Sequence, residues 1–302
     1  MQFDQARGQV GLHHQQMAER DFPPGARGEF VGTDRHVRGP AQIVGGQPRP
    51  GRTAPAVVQS LHDLQHLELP HLFSPVDRLY RRRWYEAAAH RADHLITISE
   101  FAKGTIVDHL GIDPDRITVA HLAVGQDFEP NLGGREPFLL YPARGWAHKN
   151  HRRLIEAVGL LREERPELRL VLTGGALDGI GPVPDWVDVR GLVPREELRD
   201  LYRRAAAMVF PSLYEGFGLP PLEAMASGCP VVSSSAGSLP EVCGDAAVYV
   251  DATDPAAIAA GVVEALDRAE DLTRLGLAQA ARFTWDGCVA AHLTAYAAAA
   301  RR

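Results

Sequence analysis

The sequence predicts an α/β protein made of two parallel-sheet units facing a cleft, the first of them incomplete. Three observations carry that expectation. From about residue 56 short apolar runs alternate with stretches of helical period. A break rich in Gly, Asn and Pro interrupts the alternation at residues 125–137. Only 61 residues, of different composition, precede the first segment that carries recognisable chemistry. A chain of 302 residues has room for two ordinary domains, and its 45% hydrophobic and 23% charged residues are ordinary globular usage, which excludes a fibrous or wholly disordered class.

Residues 1–55 are crowded with Gly, Pro, Gln, His and Arg, as in GPAQIVGGQPRPGRTAP, and sustain no apolar period, so they are expected to be irregular or disordered, with sequence foreign to the domain left open as one reading. In the first unit, residues 56–125, AVVQSLHDL begins as a buried strand running into a loop. An arginine-rich amphipathic helix follows over residues 75–90, then HLITIS as a strand, SEFAKGTIVDHLG as a helix ending at Gly111, and RITVAHL as another strand. The second unit, residues 126–302, follows the linker. Its apolar runs FLLY, LRLVLTG, VDVRG, AAMVFPS, PVVSSS and AVYV suit strands buried on both faces. Leu154, Ala157, Val158 and Leu161 share one helical face, as do Ile258, Val262, Ala265 and Leu266. The last helix is expected to pack back on the first unit.

A formal charge of −6 argues against nucleic acid as a partner, so an anionic ligand must be held by local groups. Cys229, Cys243 and Cys288 lack CxxC spacing and suggest neither a disulfide framework nor a zinc site. With no run of about 18 apolar residues and no leader pattern, a soluble cytoplasmic protein is expected, with peripheral contact at the inner membrane face left open.

In a doubly wound sheet, ligands sit beyond the carboxyl ends of the strands. After the strand AAMVF comes EGFGLPPLEAMASGCPVV, a glycine-containing turn feeding a helix that starts around Pro220 or Pro221 and stops at Gly228. Amides of Gly216, Phe217, Gly218 and Leu219 would lie unpaired at a helix N-terminus, a seat for phosphate. Glu215 precedes the turn and Glu223 is placed in the first helical turn, where a carboxylate could take two hydroxyls of a sugar or simply offset the helix dipole. In YPARGWAHKNHRRLIEAV the loop after the strand carries Arg144, His148 and Lys149, with a helix starting about Asn150. Lys149 suits phosphate as a point charge, whereas Arg144 reads equally as a solvated loop residue. Thr173, Gly174 and Gly175 end another strand, where the glycines serve either close approach to a ligand or a plain turn. LHDLQHLELP puts His62 and Asp63 at a strand end, and Ser99 of ISEFAK reads as a helix N-cap.

The E-x7-E spacing of Glu215 and Glu223, continued by SSAGSLPEVCGDAAVYVD, resembles the donor-site signature of the retaining GT-B glycosyltransferases of family four, the glycosyl transferases group 1. AHKN is similar to the HKN branch that includes mannosyltransferases, with Ala147 in place of the usual proline and Arg144 five residues before Lys149. The resemblance implies a GT-B-like fold of two Rossmann-like β/α domains, with an acceptor side at residues 56–125 and a donor domain at 126–302. It implies that Glu223 binds the ribose hydroxyls of a nucleoside-diphosphate sugar and Glu215 the transferred hexose. The turn amides would hold the diphosphate, and the loop at Thr173 to Gly175 would frame the base. Lys149 and Arg144 would stabilise the leaving group, with His62 approaching the sugar and the transferring phosphate.

It further implies transfer to a glycan or lipid-linked acceptor with retention, in polysaccharide biosynthesis, and no requirement for a cofactor or metal. Members open with a strand, a glycine-rich loop and a helix; GGQ at Gly45 to Gln47 is followed by prolines and does not supply them. A nucleotide-binding remnant without turnover and a nucleotide-sugar epimerase are the competing readings.

Overall fold

A computed structural model describes residues 42–44, 56–131 and 133–301 of the chain. The expectations for residues 1–41 and 45–55 lie outside the described residues. Four strands form the first sheet in the order β1 (Gln42–Val44), β2 (Val57–Ser60), β3 (His94–Thr97) and β4 (Ile117–Val119). β2, β3 and β4 run parallel, whereas β1 pairs antiparallel with β2 through Ile43 and Val58. The strand β1 corrects the expectation of an irregular segment: QIV is too short to show a period of 2, and only its partner identifies it as a strand.

Six strands form the second sheet: β5 (Glu136–Pro142), β6 (Arg169–Thr173), β7 (Val187–Gly191), β8 (Ala205–Phe210), β9 (Val231–Ser234) and β10 (Ala247–Val250). Their spatial order is β10-β9-β8-β5-β6-β7, with every pairing parallel. The order reverses between β5 and β8, so the loops leaving these two neighbours part to opposite faces and leave a crevice between them. β5 begins at Glu136, inside the expected linker, where it pairs with Ala205 of β8 and the Arg204 guanidinium bonds both Glu136 carboxylate oxygens at 2.6 and 2.9 Å.

Helices follow the chain as α1 (Gln65–Glu68), α2 (Pro75–Arg81), α3 (Ala87–Arg91), α4 (Glu100–Leu110), α5 (His151–Leu161), α6 (Arg195–Arg204), α7 (Leu219–Ala226), α8 (Leu239–Cys243), α9 (Pro255–Asp267), α10 (Ala269–Ala280) and α11 (Trp285–Arg301). The single helix expected over residues 75–90 is interrupted by a π turn at Arg82–Glu86. The wide turn rephases the helix, so that no residue of α2 is buried while Ala88 and Ala89 of α3 reach the core. Leu154, Ala157, Val158 and Leu161 of α5 are buried in the core of the second unit, together with Ile258, Val262 and Ala265 of α9. Gly261 lets α9 lie directly on β10, since a Cβ there would stand 2.2 Å from Val250 Cγ1.

The first sheet is covered twice. On one side Leu95, Ile106 and Ile117 cluster with Leu61, Leu64 and Ala89. On the other, Val58, Ile96 and Ala120 meet Ala295 and Ala299 of α11, so the last helix returns from the second unit to the first. Ala295 is fully buried there, and an aspartate in its place would leave an unpaired charge against the sheet. Ala295→Asp is expected to lower stability by about 3 kcal/mol or more, read by urea denaturation.

Candidate functional site

Lys149 and Glu215 stand on the two loops that flank the crevice. After β5 the chain passes Arg144 and Trp146, makes a 3-10 turn at Ala147–Lys149 and enters α5 through Asn150, whose φ of 62° is left-handed. Asparagine tolerates that conformation, and its side chain ties the loop down. Its amide donates to the carbonyls of Pro211 (3.0 Å) and Ala252 (2.7 Å), and its oxygen accepts from Arg153 (2.9 Å). The Tyr141 hydroxyl donates to the Lys149 carbonyl, fixing the lysine's backbone. From this fixed base the ammonium reaches Glu215 Oε1 at 2.5 Å, with the Phe210 ring 5.5 Å away. Both side chains are mostly shielded, at 14% and 12% exposure, so each charge depends on the other.

After β8 the turn at Glu215 to Gly218 is anchored by its carbonyls. Ser238 donates to the Glu215 carbonyl through its N–H (3.1 Å), and its hydroxyl lies 3.0 Å from that oxygen and 2.8 Å from the Phe217 carbonyl. The Gly216 carbonyl accepts from the Ser99 hydroxyl at 2.7 Å. A trans peptide points its N–H opposite to its C=O, so the N–H groups of Gly216, Phe217 and Gly218 face the other way. None of these, nor Leu219 N–H, donates to a protein acceptor among the described residues. Gly218, with φ 102°, leads straight into α7, whose N-terminus adds its dipole to the same place. The turn is a ready anion seat.

Glu223 lies in the second turn of α7, not the first. The helix begins at Leu219, earlier than its prolines suggested, because Gly218 in a left-handed conformation serves as its N-cap. Dipole compensation is therefore not its setting. Tyr202 donates to Glu223 Oε2 at 3.1 Å, and burial pushes the carboxyl up to about 7 against the opposing pull of Tyr202 and Arg195.

His62 keeps exposed surface, yet the protein packed around it still holds its pKa below the usual imidazole value by desolvation, with Asp63 opposing and His292 adding to the effect. Its neighbour Asp63 touches the seat directly: a Cβ on Gly216 would stand 2.9 Å from Asp63 Oδ2. Thr173 is buried, and Gly174, with φ 134°, packs so tightly that a Cβ would stand 2.4 Å from the Ala143 carbonyl. Gly175 accepts from Gly145 N–H at 3.0 Å, which joins the loops after β5 and β6. Arg144 is exposed, its guanidinium 5.3 Å from the Trp146 ring centroid. His148 and His151 are buried and pushed down to about 4 by desolvation, so they are neutral packing groups near neutral pH.

The structure thus brings Lys149 to Glu215 and Asp63 to Gly216, leaves His62 beside Asp63 without a shown contact to the seat among the described residues, and sets Glu223 one turn deeper along α7. Asn150, already marked by the AHKN stretch at a helix start, holds this arrangement together with Ser238 and Tyr202, which were not singled out from the sequence. Their work is to bond backbone carbonyls and a buried carboxylate, which leaves no spacing signal. Among the described residues no three His, Cys, Asp or Glu side chains gather to hold a metal, and no helix is long and apolar enough to cross a membrane.

Two parallel-sheet units with the anion seat at the switch point of the second define a GT-B protein. Sucrose-phosphate synthase from Thermosynechococcus elongatus shares this fold, with a TM-score of 0.62 over 76% of this chain and 64% of that one at 22% identity. The chain belongs to the glycosyl transferases group 1, whose signature matches residues 126–282, and that of Glycosyltransferase Family 4 matches residues 36–128. The second match begins within the stretch 1–55, which removes the reading of foreign sequence from residue 36 onward.

O-antigen chain mannosyltransferase B of Escherichia coli is 35% identical over 268 residues, 79% of this chain and 69% of that protein. MMP alpha-(1->4)-mannosyltransferase of Mycolicibacterium hassiacum is 33% identical over 251 residues, 73% of this chain and 59% of that protein. The chain is thus shorter than the relatives it matches, and spans 54% of a third, D-inositol 3-phosphate glycosyltransferase of Streptomyces scabiei.

The raised Glu223 pKa fixes a sign. Between the ordinary carboxylate value and about 7 the folded state holds a proton that the unfolded state has lost, so stability falls as pH rises through that window. Glu223→Gln removes the buried charge and is expected to stabilise the ligand-free protein at pH 8 by on the order of 2 kcal/mol, and by little at pH 4, as read by denaturant titration.

Proposed function

We propose that this chain is a retaining hexosyltransferase that moves a hexose, mannose favoured, from a GDP- or UDP-linked donor to a hydroxyl of a glycan or lipid-linked acceptor. The observation that carries the reading is the anion seat at the switch point, where four N–H groups without protein acceptors among the described residues follow Glu215, which a shielded lysine from the neighbouring loop pairs. Hydrogen-bond donors and a cation fixed before reaction stabilise charge where it develops, on the leaving diphosphate. Lys149, Arg144 and the amides of Gly216, Phe217, Gly218 and Leu219 would carry that charge. Glu215 would bond hydroxyls of the transferred sugar, Glu223 the ribose diol, and the loop at Thr173, Gly174 and Gly175 would border the base. His62, across the crevice, would approach the sugar from the acceptor side.

The reaction is a front-face exchange. The anomeric C–O bond to the diphosphate breaks, the acceptor oxygen forms the new bond on the same face, and the departing phosphate oxygen takes the acceptor proton. This route needs no protein nucleophile and no resident metal. Mannosyltransferases among the relatives support mannose as the sugar. Binding without turnover is the second reading, which the same anion seat and lysine–glutamate pair would serve.

Titration calorimetry with GDP and UDP tests the donor site: one of them is expected to bind the unaltered chain and to bind Glu223→Ala at least tenfold more weakly. Absence of binding by both would remove the donor reading. Release of nucleoside diphosphate from the sugar donor, with retention seen by NMR, separates transfer from mere binding.

We place the work of this protein in the cytoplasm, at the inner face of the membrane. Supporting the contact, residues 75–91 hold five arginines against two acids, and Val76, Leu79, Tyr80 and Trp84 are exposed among them. Sedimentation with phosphatidylglycerol vesicles is expected to carry the protein down, and Leu79→Ser with Trp84→Ser to leave it in solution; equal sedimentation of both would contradict the contact.

A further inference from the structure

The anion seat is completed by the other half of the molecule. Of the planes that carry the Gly216, Phe217 and Gly218 amides, the outer two are fixed from within the second unit, because Ser238 holds the carbonyls of Glu215 and Phe217. The middle plane, Gly216–Phe217, is fixed from the first unit, by the Ser99 hydroxyl on the Gly216 carbonyl at 2.7 Å. Since carbonyl and amide of one plane point opposite ways, Ser99 determines where the Phe217 N–H is aimed. Ser99 is also the N-cap of α4, accepting from Ala102 N–H at 3.0 Å, so its position is that of the helix end.

The same helix end is gripped a second time. Glu241, on α8 of the second unit, accepts from the N–H groups of Glu100 (2.9 Å) and Phe101 (3.1 Å) and bonds His121 Nε2 at 2.6 Å. Burial alone would raise the Glu241 pKa, but His121 and the two amides outweigh it and hold the carboxyl below the usual range. The His121 ring packs against Phe217 (6.2 Å) and Phe283 (5.5 Å), which also touch each other, and Phe101 packs edge-on to Tyr214 at 5.8 Å. The bonds of Glu241 join the start of α4 and His121, just after β4, to α8, and the ring contact of His121 with Phe217 joins it to the seat.

We propose that Ser99 and Glu241 are positioning residues that make the anion seat ready only when the two units are docked. Glu241 clamps the first turn of α4, and Ser99, held there, turns the Phe217 amide toward the diphosphate. The inference rests on the donor reading for the identity of the anion, though the clamp itself does not. A seat completed by docking gives the reaction order: the leaving group is stabilised only once the acceptor side is in place, which limits hydrolysis of the donor.

Two readouts test it on the full chain. Without nucleotide, hydrogen exchange at the Glu100 and Phe101 amides is expected to quicken about tenfold in Glu241→Ala and also in Ser99→Ala, with Ser99→Thr restoring the slow rate. Because Ser99→Ala also removes a helix cap, Glu241→Ala, altered on the opposite unit, is the decisive variant. With nucleotide, both alanine variants are expected to bind UDP or GDP about tenfold more weakly while binding of uridine or guanosine is unchanged, a split that general loosening of the fold would not produce. Unchanged exchange in both variants overturns the clamp. Quickened exchange with undiminished diphosphate binding overturns its coupling to the seat. An unaltered chain that binds no nucleotide would instead remove the donor reading, and the exchange result would still decide the clamp.

Discussion

A lysine ammonium and a glutamate carboxylate 2.5 Å apart, both largely closed off from solvent, hold the two loops of the crevice to one another. Removing either partner would strand a charge in a place where an unpaired ion costs several kcal/mol. The surrounding structure is arranged to keep the pair. Asn150 bonds across to the ends of β8 and β10, Tyr141 holds the lysine's carbonyl, and Ser238 holds the glutamate's. Under the proposed function the pair is a resting arrangement, in which each group keeps the place that a diphosphate and a sugar hydroxyl would later take.

The same economy governs the turn between them. Its carbonyls are consumed by serines, so its amides are left for a ligand, and its glycines admit the neighbours that do this. Gly237, outside the turn and next to Ser238, is the clearest close approach, with φ 62° and only 2.3 Å between a Cβ and the Glu215 carbonyl. Gly216 plays the same part toward Asp63 of the opposite unit. A turn that any side chain would push away from its anchors has little freedom to drift, which is what a preorganised anion site requires.

Much of the second unit was legible because β5, β6, β8 and β9 are largely buried and appear as apolar runs, whereas VDVRG, expected to be buried on both faces, is the edge strand β7 with Val189 exposed. The candidate residues at strand ends were legible for the same reason, since the end of a run marks the ligand side of the sheet. Other features were not. The start of α7 depended on Gly218 taking a left-handed conformation, so Glu223 was placed one turn too early. The π turn at Arg82–Glu86 has no periodic signature, and β1 exists only as a partner of β2. The second bond of Ser99 joins positions 117 residues apart, which no local pattern can announce.

A double-mutant cycle on the pair tests the central claim most directly. Nucleoside-diphosphate affinity is measured by calorimetry for the unaltered chain, Lys149→Met, Glu215→Gln and the double variant. If the lysine is held for a diphosphate, Lys149→Met weakens binding about tenfold or more, Glu215→Gln strengthens it by freeing the ammonium, and the double variant shows no gain over Lys149→Met. Equal affinity in all four proteins would contradict the account and leave the pair a structural strut.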